Sequence, residues 1–320
     1  MSEWLRIDAV QKTVDEFRLG PIDLMIEPGT ITVIAGMNGS GKSTLLKLIM
    51  GLAKLDHGRI IVGGKPVGGA DEDWKQHITY VPQKLIGWDP YTGEALKGLI
   101  APLYGGWDEE LFQKIIKSFN IPLSKRFGKM SPGLQQKLAL ALALPRGTRL
   151  MILDEPMNSL DIPSRKGLTD LLADWMEVEE RAILMTSHQV EDIRKLADFI
   201  FLMQNGETLG HYEKEQLTES YRRYWIDRMP DGEIPEELAR GHMDVVTAMP
   251  EAAEQYFEKH GINVMDQSGI ELEEIISYLL DQKPLRRVSG IEVPDTKVPD
   301  TKVPDPKVPD PKVPDTQKKG

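Results

Sequence analysis

The stretch Gly36-Met37-Asn38-Gly39-Ser40-Gly41-Lys42-Ser43-Thr44 narrows the possible folds more than any other feature of the chain. It fits the pattern G-x-x-x-x-G-K-[ST]. Its flanks are those the pattern demands: an apolar run, Ile31–Ala35, before it, and Leu45, Leu48 and Ile49 at helical spacing after it. Strand, glycine-rich loop and helix together make a phosphate cradle. Glycines let the chain curl until successive backbone N–H groups point inward, and a helix beginning near Lys42 adds the positive end of its dipole. Lys42 is placed to neutralise β and γ phosphates, and the Ser43 hydroxyl to meet Mg²⁺. Without those flanks the same letters would read as a glycine-rich turn at a helix start.

A second apolar run, Leu150-Met151-Ile152-Leu153, delivers Asp154 and Glu155 ahead of Pro156. In open α/β sheets ligands gather at the carboxyl edge of the strands, where these two acids fall. Asp154 suits coordination of Mg²⁺ through water, and Glu155 suits polarising an attacking water as general base. Further strands are expected at Leu5–Val10, Ile22–Ile26, Arg59–Val62, Ile78–Val81, Ala182–Met185 and Phe199–Met203. Residues 90–145 are mostly helical in pattern, with an interruption at Gly128–Gly133. Leu168, Leu171, Leu172, Trp175 and Met176 mark one helix, and Val190, Ile193 and Ala197 another. Strands alternating with helices predict a parallel α/β core.

Four more elements follow in a fixed order: Gln83 in Tyr80-Val81-Pro82-Gln83, Ser131-Pro132-Gly133-Leu134-Gln135, Ser159-Leu160-Asp161, and His188 in Thr186-Ser187-His188. Taken singly, Gln83 is a surface amide, His188 a helix-start residue and Asp161 a cap before Pro163. Together with the cradle and the acidic strand, they make residues 5–210 resemble the nucleotide-binding subunits of ABC transporters. That resemblance implies an α/β P-loop core of ABC type, with an antiparallel β subdomain near the N-terminus and a helical subdomain over roughly 88–145. It implies ATP and Mg²⁺ as cofactors and ATP hydrolysis as the activity, with Glu155 and His188 catalytic. Gly36–Thr44 would hold the phosphates, and Ser43, Gln83 and Asp154 the metal. A second nucleotide-binding subunit, identical or related, would add its Ser131, Gly133, Gln135 and Asp161 in a head-to-tail dimer. A polytopic membrane permease would complete the assembly, with this chain on the inner face of the cell membrane.

Two departures bear on that resemblance. The common signature is Leu-Ser-Gly-Gly-Gln; here Met130 precedes Ser131, Pro132 stands for the first glycine and Leu134 for the glutamine. The form Ser-x-Gly-x-x-Gln is similar to a bacterial exporter branch handling drugs, peptides or lipids, and export is the expected direction. The family usually stacks adenine on an aromatic residue where this chain has Thr13 and Val14. Phe17 is the nearby ring.

Composition sets outer limits. With 39 Lys and Arg against 50 Asp and Glu, the net charge is −11, and no long basic run offsets it, so nucleic acid is not an expected partner. Cysteine is absent, which excludes disulfides and thiolate metal sites. No apolar stretch approaches the ~18 residues of a membrane-spanning helix. The N-terminus lacks the basic-then-apolar order of a signal peptide. Residues 211–290 are more charged and suggest a small α/β accessory domain, helical near 213–228, 250–260 and 271–281, with a strand at Asp244–Thr247. Residues 291–320 carry Val-Pro-Asp at 293, 298, 303, 308 and 313. Proline removes a backbone donor in every repeat and one valine offers little to bury, so a disordered, solvated tail is expected. The competing functional class is a soluble ABC ATPase acting on ribosomes or DNA; such proteins usually carry two of these domains or a long coiled-coil insertion, and neither is seen.

Overall fold

The computed structural model describes residues 3–281. The tail expected at 291–320, and the last residues of the accessory domain, lie outside the described residues.

The chain opens with a hairpin, β1 (Leu5–Val14) and β2 (Phe17–Ile26), longer than the two short strands expected. Val14 pairs with Phe17 across Asp15 and Glu16, and Asp15 takes a positive φ of 52° at the turn. Next come β3 (Ile31–Ala35), α1 (Lys42–Ile49), β4 (His57–Val62), β5 (Lys65–Pro66) and β6 (Ile78–Val81). Strands β2-β1-β4-β5 form an antiparallel sheet. The helical stretch resolves into α2 (Gly93–Ile100), α3 (Glu109–Ser118) and α4 (Pro132–Ala143).

Then follow β7 (Leu150–Asp154), α5 (Ile162–Met176), β8 (Ala182–Ser187), α6 (Val190–Leu196), β9 (Phe199–Gln204) and β10 (Glu207–Glu213). The central sheet has the order β10-β9-β3-β8-β7-β6, parallel except for the β9–β10 hairpin. Its inner strands are apolar at nearly every position because both faces are covered. Val33, Met151, Leu153, Ile183, Met185, Ile200 and Leu202 face a core shared with α3, α4 and α5. Their sequence neighbours Ile34, Ile152, Leu184 and Phe201 face the opposite core with α1, β1 and β2. The period of two across a strand accounts for this division.

The remainder is α7 (Lys214–Glu219), β11 (Arg222–Ile226), β12 (Glu237–Arg240), β13 (Asp244–Thr247), α8 (Pro250–His260), β14 (Val264–Gly269) and α9 (Leu272–Asp281). A third sheet, β12-β13-β11-β14, is antiparallel. The helix expected near 213–228 is corrected here. It stops at Glu219, and Arg222–Ile226 is a strand paired on both sides, by β13 and β14. Alternation decides the matter: Tyr224 and Ile226 are buried while Arg223 and Trp225 are only partly so. Tyr224, Ile226, Val245, Ala253 and Phe257 make a small core of their own, whereas Ile275 and Ile276 of α9 pack into the main one.

Candidate functional site

Four neighbouring parallel strands build the site at one edge of the sheet. Ala35 of β3 is in register with Ser187 of β8, Thr186 with Asp154 of β7, and Leu153 with Val81 of β6. The residues just beyond those positions are Gly36, His188, Glu155 and, after Pro82, Gln83. Parallel register therefore delivers loops far apart in sequence to a common edge, the carboxyl edge where α/β sheets bind ligands.

The cradle adopts the expected curl. Gly39 and Gly41 have φ of 83° and 103°, in the left-handed region that favours glycine, and α1 starts at Lys42. The Lys42 ammonium is buried and donates to the carbonyls of Gly36 at 2.8 Å and Met37 at 3.0 Å, so it sits within the loop it must serve. Burial pulls its pKa below the ordinary lysine value, against the opposing pull of Glu155 and Asp154. Incoming phosphate charge would stabilise that desolvated cation. Ser40 Oγ is buried in the loop without a hydrogen-bond partner. Gly206 braces the loop by donating its N–H to the Ser40 carbonyl at 3.0 Å, and in turn accepts from Gly20 N–H at 2.7 Å. Asn205-Gly206 is a hairpin turn, with φ of 49° and 84°, and its contact with the cradle carries no motif.

Asp154 is almost fully buried. Its Oδ1 accepts from Ser43 Oγ at 3.3 Å and from Thr186 Oγ1 at 2.7 Å. The same Thr186 hydroxyl accepts the backbone N–H of Glu155 at 2.9 Å, which steadies Glu155 at its positive φ of 49°. Thr186, one residue past the strand expected at Ala182–Met185 and two before His188, thus braces both members of the acidic pair. Among the described residues no three His, Cys, Asp or Glu side chains gather as a metal cluster. One carboxylate and one hydroxyl side by side do suit Mg²⁺, which is commonly held by one or two carboxylates and completed by waters and substrate phosphates.

The Glu155 carboxylate is held from three sides. Oε2 accepts from Gln83 Nε2 at 3.1 Å and from Asn158 Nδ2; Oε1 lies 3.3 Å from His188 Nδ1. Its own side chain is largely covered, while His188 is open to solvent. The sequence-predicted Gln83, Asp154, Glu155, His188 and cradle thus converge. Gln83 meets Glu155 directly, a contact no motif indicated.

Ser131, Gly133, Gln135 and Asp161 make no hydrogen bond to this group among the described residues. Ser131 caps α4, its Oγ accepting from Leu134 N–H at 3.4 Å, and Pro132 occupies the first helical position, where a missing N–H costs nothing. Gln135 Nε2 donates to the Phe127 carbonyl at 2.9 Å, so that amide serves its own chain. Asp161 caps α5, accepting from Ser164 N–H at 2.9 Å, and this hydrogen bonding holds its carboxyl below the ordinary value. A Cβ placed on Gly133 would stand 2.5 Å from the Ser159 carbonyl oxygen, so α4 and the 157–161 loop are in close contact. Phe17 lies against the cradle: a Cβ on Gly41 would stand 3.0 Å from its Cζ. Val14 is exposed.

The sequence profile of the ABC transporter family matches residues 19–158. The chain is 30% identical over 203 residues to the ABC transporter ATP-binding protein YtrB of Bacillus subtilis, covering 63% of this chain and 69% of that one. It is also 30% identical over 232 residues to the manganese transport system ATP-binding protein MntA of Synechocystis sp., covering 67% and 88%. The chain belongs to the family of ABC transporter ATP-binding proteins. It is an ATPase of that family. Among solved structures, the ATP-binding subunit of an ABC transporter shares the fold at TM-score 0.62 and 22% identity, over 68% of this chain and 92% of that chain. An ATP-binding cassette dimer in a post-hydrolysis state with ADP and phosphate does so at TM-score 0.57 and 21% identity, over 65% and 98%. Relatives in the same range of identity include ATP-binding proteins named for import of aliphatic sulfonates and of molybdenum. No described helix of this ABC protein is long and apolar enough to cross a membrane.

Proposed function

We propose that this ABC ATPase cleaves Mg²⁺-ATP with Glu155 as general base and His188 as the group that orients the attacking water and the γ-phosphate. The observation that carries the reading is the Glu155 carboxylate, fixed by two amides on one oxygen and faced by His188 on the other, at the edge that holds the Lys42 cradle. Gly36–Thr44 wrap the phosphates and Lys42 neutralises them. Ser43 and Asp154, with Gln83, would hold Mg²⁺, which would supply charge neutralisation to the phosphates. Glu155 draws the proton from water as the water oxygen bonds to the γ-phosphorus and the bond from that phosphorus to the β,γ-bridging oxygen breaks, leaving ADP and phosphate.

The second half of the site comes from another copy or a related chain. The capped start of α4 offers the Ser131 hydroxyl, the Gly133 N–H and a positive helix end to the partner's γ-phosphate. Exposed Met37 and Ile162, 64% and 85% accessible, support burial of this face in a dimer. Nucleotide then joins two chains head to tail, and cleavage releases them. A permease on the inner face of the membrane takes up that motion. Leu52, Ile86 and Leu103 are 67%, 91% and 77% exposed, and Leu52 lines a cavity of about 370 Å³ of mixed character, with Trp74, Tyr80 and Tyr104 beside Glu72, Lys75 and Arg146; these exposed apolar side chains support permease docking. The 1–210 segment is the motor and 211–290 an accessory module. Export is the proposed direction, on the Ser131-Pro132-Gly133 form. Import is the competing reading, favoured by the relatives named for import.

The test is Glu155→Gln in the full chain with its permease. Turnover falls at least about a hundredfold while ATP still binds and now traps a dimer. Turnover at the unsubstituted rate would refute the role of Glu155. Transport of cargo in inverted vesicles separates export from import.

A further inference from the structure

Behind the Glu155 carboxylate stands a chain of polar side chains that the proposed mechanism does not use. Arg165, on the first turn of α5, donates through Nη1 to Gln189 Oε1. Gln189 Nε2 donates to Asn158 Oδ1 at 3.4 Å, and Asn158 Nδ2 donates to Glu155 Oε2. The polarity of this chain is fixed at both ends. A guanidinium can only donate and an ionised carboxylate can only accept, so each intervening amide has one workable orientation. All three residues are half-buried. Arg165 Nε also donates to the Leu160 carbonyl at 3.2 Å, which ties the same guanidinium to the loop that carries Asn158.

We propose that Asn158, oriented by Gln189 and Arg165, is a positioning residue that holds the Glu155 carboxylate for proton abstraction. This rests on the assignment of Glu155 as general base. The physical argument is geometric and electrostatic. Gln83 is exposed, so water can compete for its bond to Oε2. A second amide on the same oxygen, itself braced from behind, sets the plane of the carboxylate. Oε1 is then left toward His188, the face on which an attacking water can be met. A relay of aligned donors starting from a cation also polarises each successive amide toward the carboxylate. Among the described residues, the titratable groups beside this carboxylate are the His188 imidazole, the Lys42 ammonium and Asp154, one residue before it in the chain.

The experiment compares steady-state ATP hydrolysis by the full chain with its permease, as kcat and KM separately, for Asn158→Ala, Asn158→Asp, Arg165→Met, the Asn158→Ala/Arg165→Met pair and Glu155→Gln. Asn158→Ala is expected to lower kcat about tenfold or more with KM within about twofold, the pattern for loss of an interaction made in the transition state. Arg165→Met should give a smaller loss of the same kind. The double variant should lose no more than Asn158→Ala alone, because a relay fails once. Asn158→Asp is near-isosteric but replaces the amide donor on Oε2 with a second carboxylate, so it should lower kcat at least as far as Asn158→Ala, again with KM within about twofold. A merely structural asparagine would tolerate that change, and this variant keeps the test open if the alanine variant fails to fold. If Glu155→Gln is inactive yet Asn158→Ala and Asn158→Asp both keep full kcat, the relay is overturned and the base stands. If Glu155→Gln stays active, the base assignment itself has failed.

Discussion

Gly133→Ala separates two roles for the signature glycine. In the single chain, a methyl group at this position stands 2.5 Å from the Ser159 carbonyl oxygen. Close carbon–oxygen contacts in proteins lie near 3.3–3.6 Å, so helix α4 and the 157–161 loop must part by about 0.8 Å. Both sides of the contact are backbone, and no side-chain rotation can relieve it. Overpacking of this kind costs about 1–3 kcal/mol, and the better helix propensity of alanine returns up to about 1 kcal/mol. A net loss near 1–2 kcal/mol lowers the melting midpoint by roughly 2–8 °C in a chain of this size. The assay is a thermal melt of the full chain without nucleotide, followed by ATP turnover. If Gly133 served only to meet a partner's phosphate, the nucleotide-free melt would not move and only ATP-driven association would weaken. An unshifted nucleotide-free melt therefore refutes the packing argument.

Thr186→Val removes one hydroxyl that both donates to Asp154 and accepts from the Glu155 N–H; the N–H loses its partner and Asp154 Oδ1 keeps only the longer Ser43 bond, which should cost roughly 1–3 kcal/mol, read from the denaturant midpoint, with Thr186→Ser restoring most of it. Lys42→Ala takes a buried cation out of the cradle and should weaken ATP binding at least about tenfold by calorimetry; an unchanged Kd would count against the cradle. Asp192, packed near Ser187 and Arg165, has its carboxyl pKa raised above the ordinary value mainly by burial. The unfolded chain ionises it more easily, so its contribution to stability is present below the ordinary carboxylate pKa and is lost as pH rises through the higher folded value. Asp192→Asn should therefore melt higher than the parent at pH near 7 and match it at pH near 3.5, below the reference value of about 3.9; an equal difference at both pH values would contradict this.

What the sequence made legible is what local chemistry alone determines. The cradle declares itself because its glycines, its lysine and the flanking strand and helix are contiguous, and Asp154 and Glu155 because they end an apolar run. Thr186, Asn158, Gln189 and Arg165 carry no such mark. Each is an ordinary polar residue whose partner is chosen by strand register or loop packing; Thr186 meets Asp154 only because β8 and β7 pair at that step. The strand Arg222–Ile226 escaped for a related reason. Five residues show too little of either period to outweigh the helical spacing of the charged residues before them, and pairing on both sides decides its conformation. The signature segment was legible as a motif, yet its intrachain duties were not: capping by Ser131, the Gln135 bond to Phe127 and the Gly133 contact with Ser159 all depend on what the fold places nearby.

Those duties link the two halves of the proposed site. The segment leading into α4 is tied by backbone bonds to the Gln83 loop, from Phe127 N–H to the Tyr91 carbonyl at 2.8 Å and from Gly128 N–H to the Asp89 carbonyl at 3.2 Å. The first turn of α4 presses, through Gly133, on the Ser159 carbonyl beside Asn158. Gln83 and Asn158 are the two amides that hold Glu155 Oε2. The start of α4 is therefore joined through two separate loops to both amides on the Glu155 carboxylate. In the proposed dimer, these two loops are the packed route by which contact between α4 and a neighbouring chain's phosphate would bear on that carboxylate.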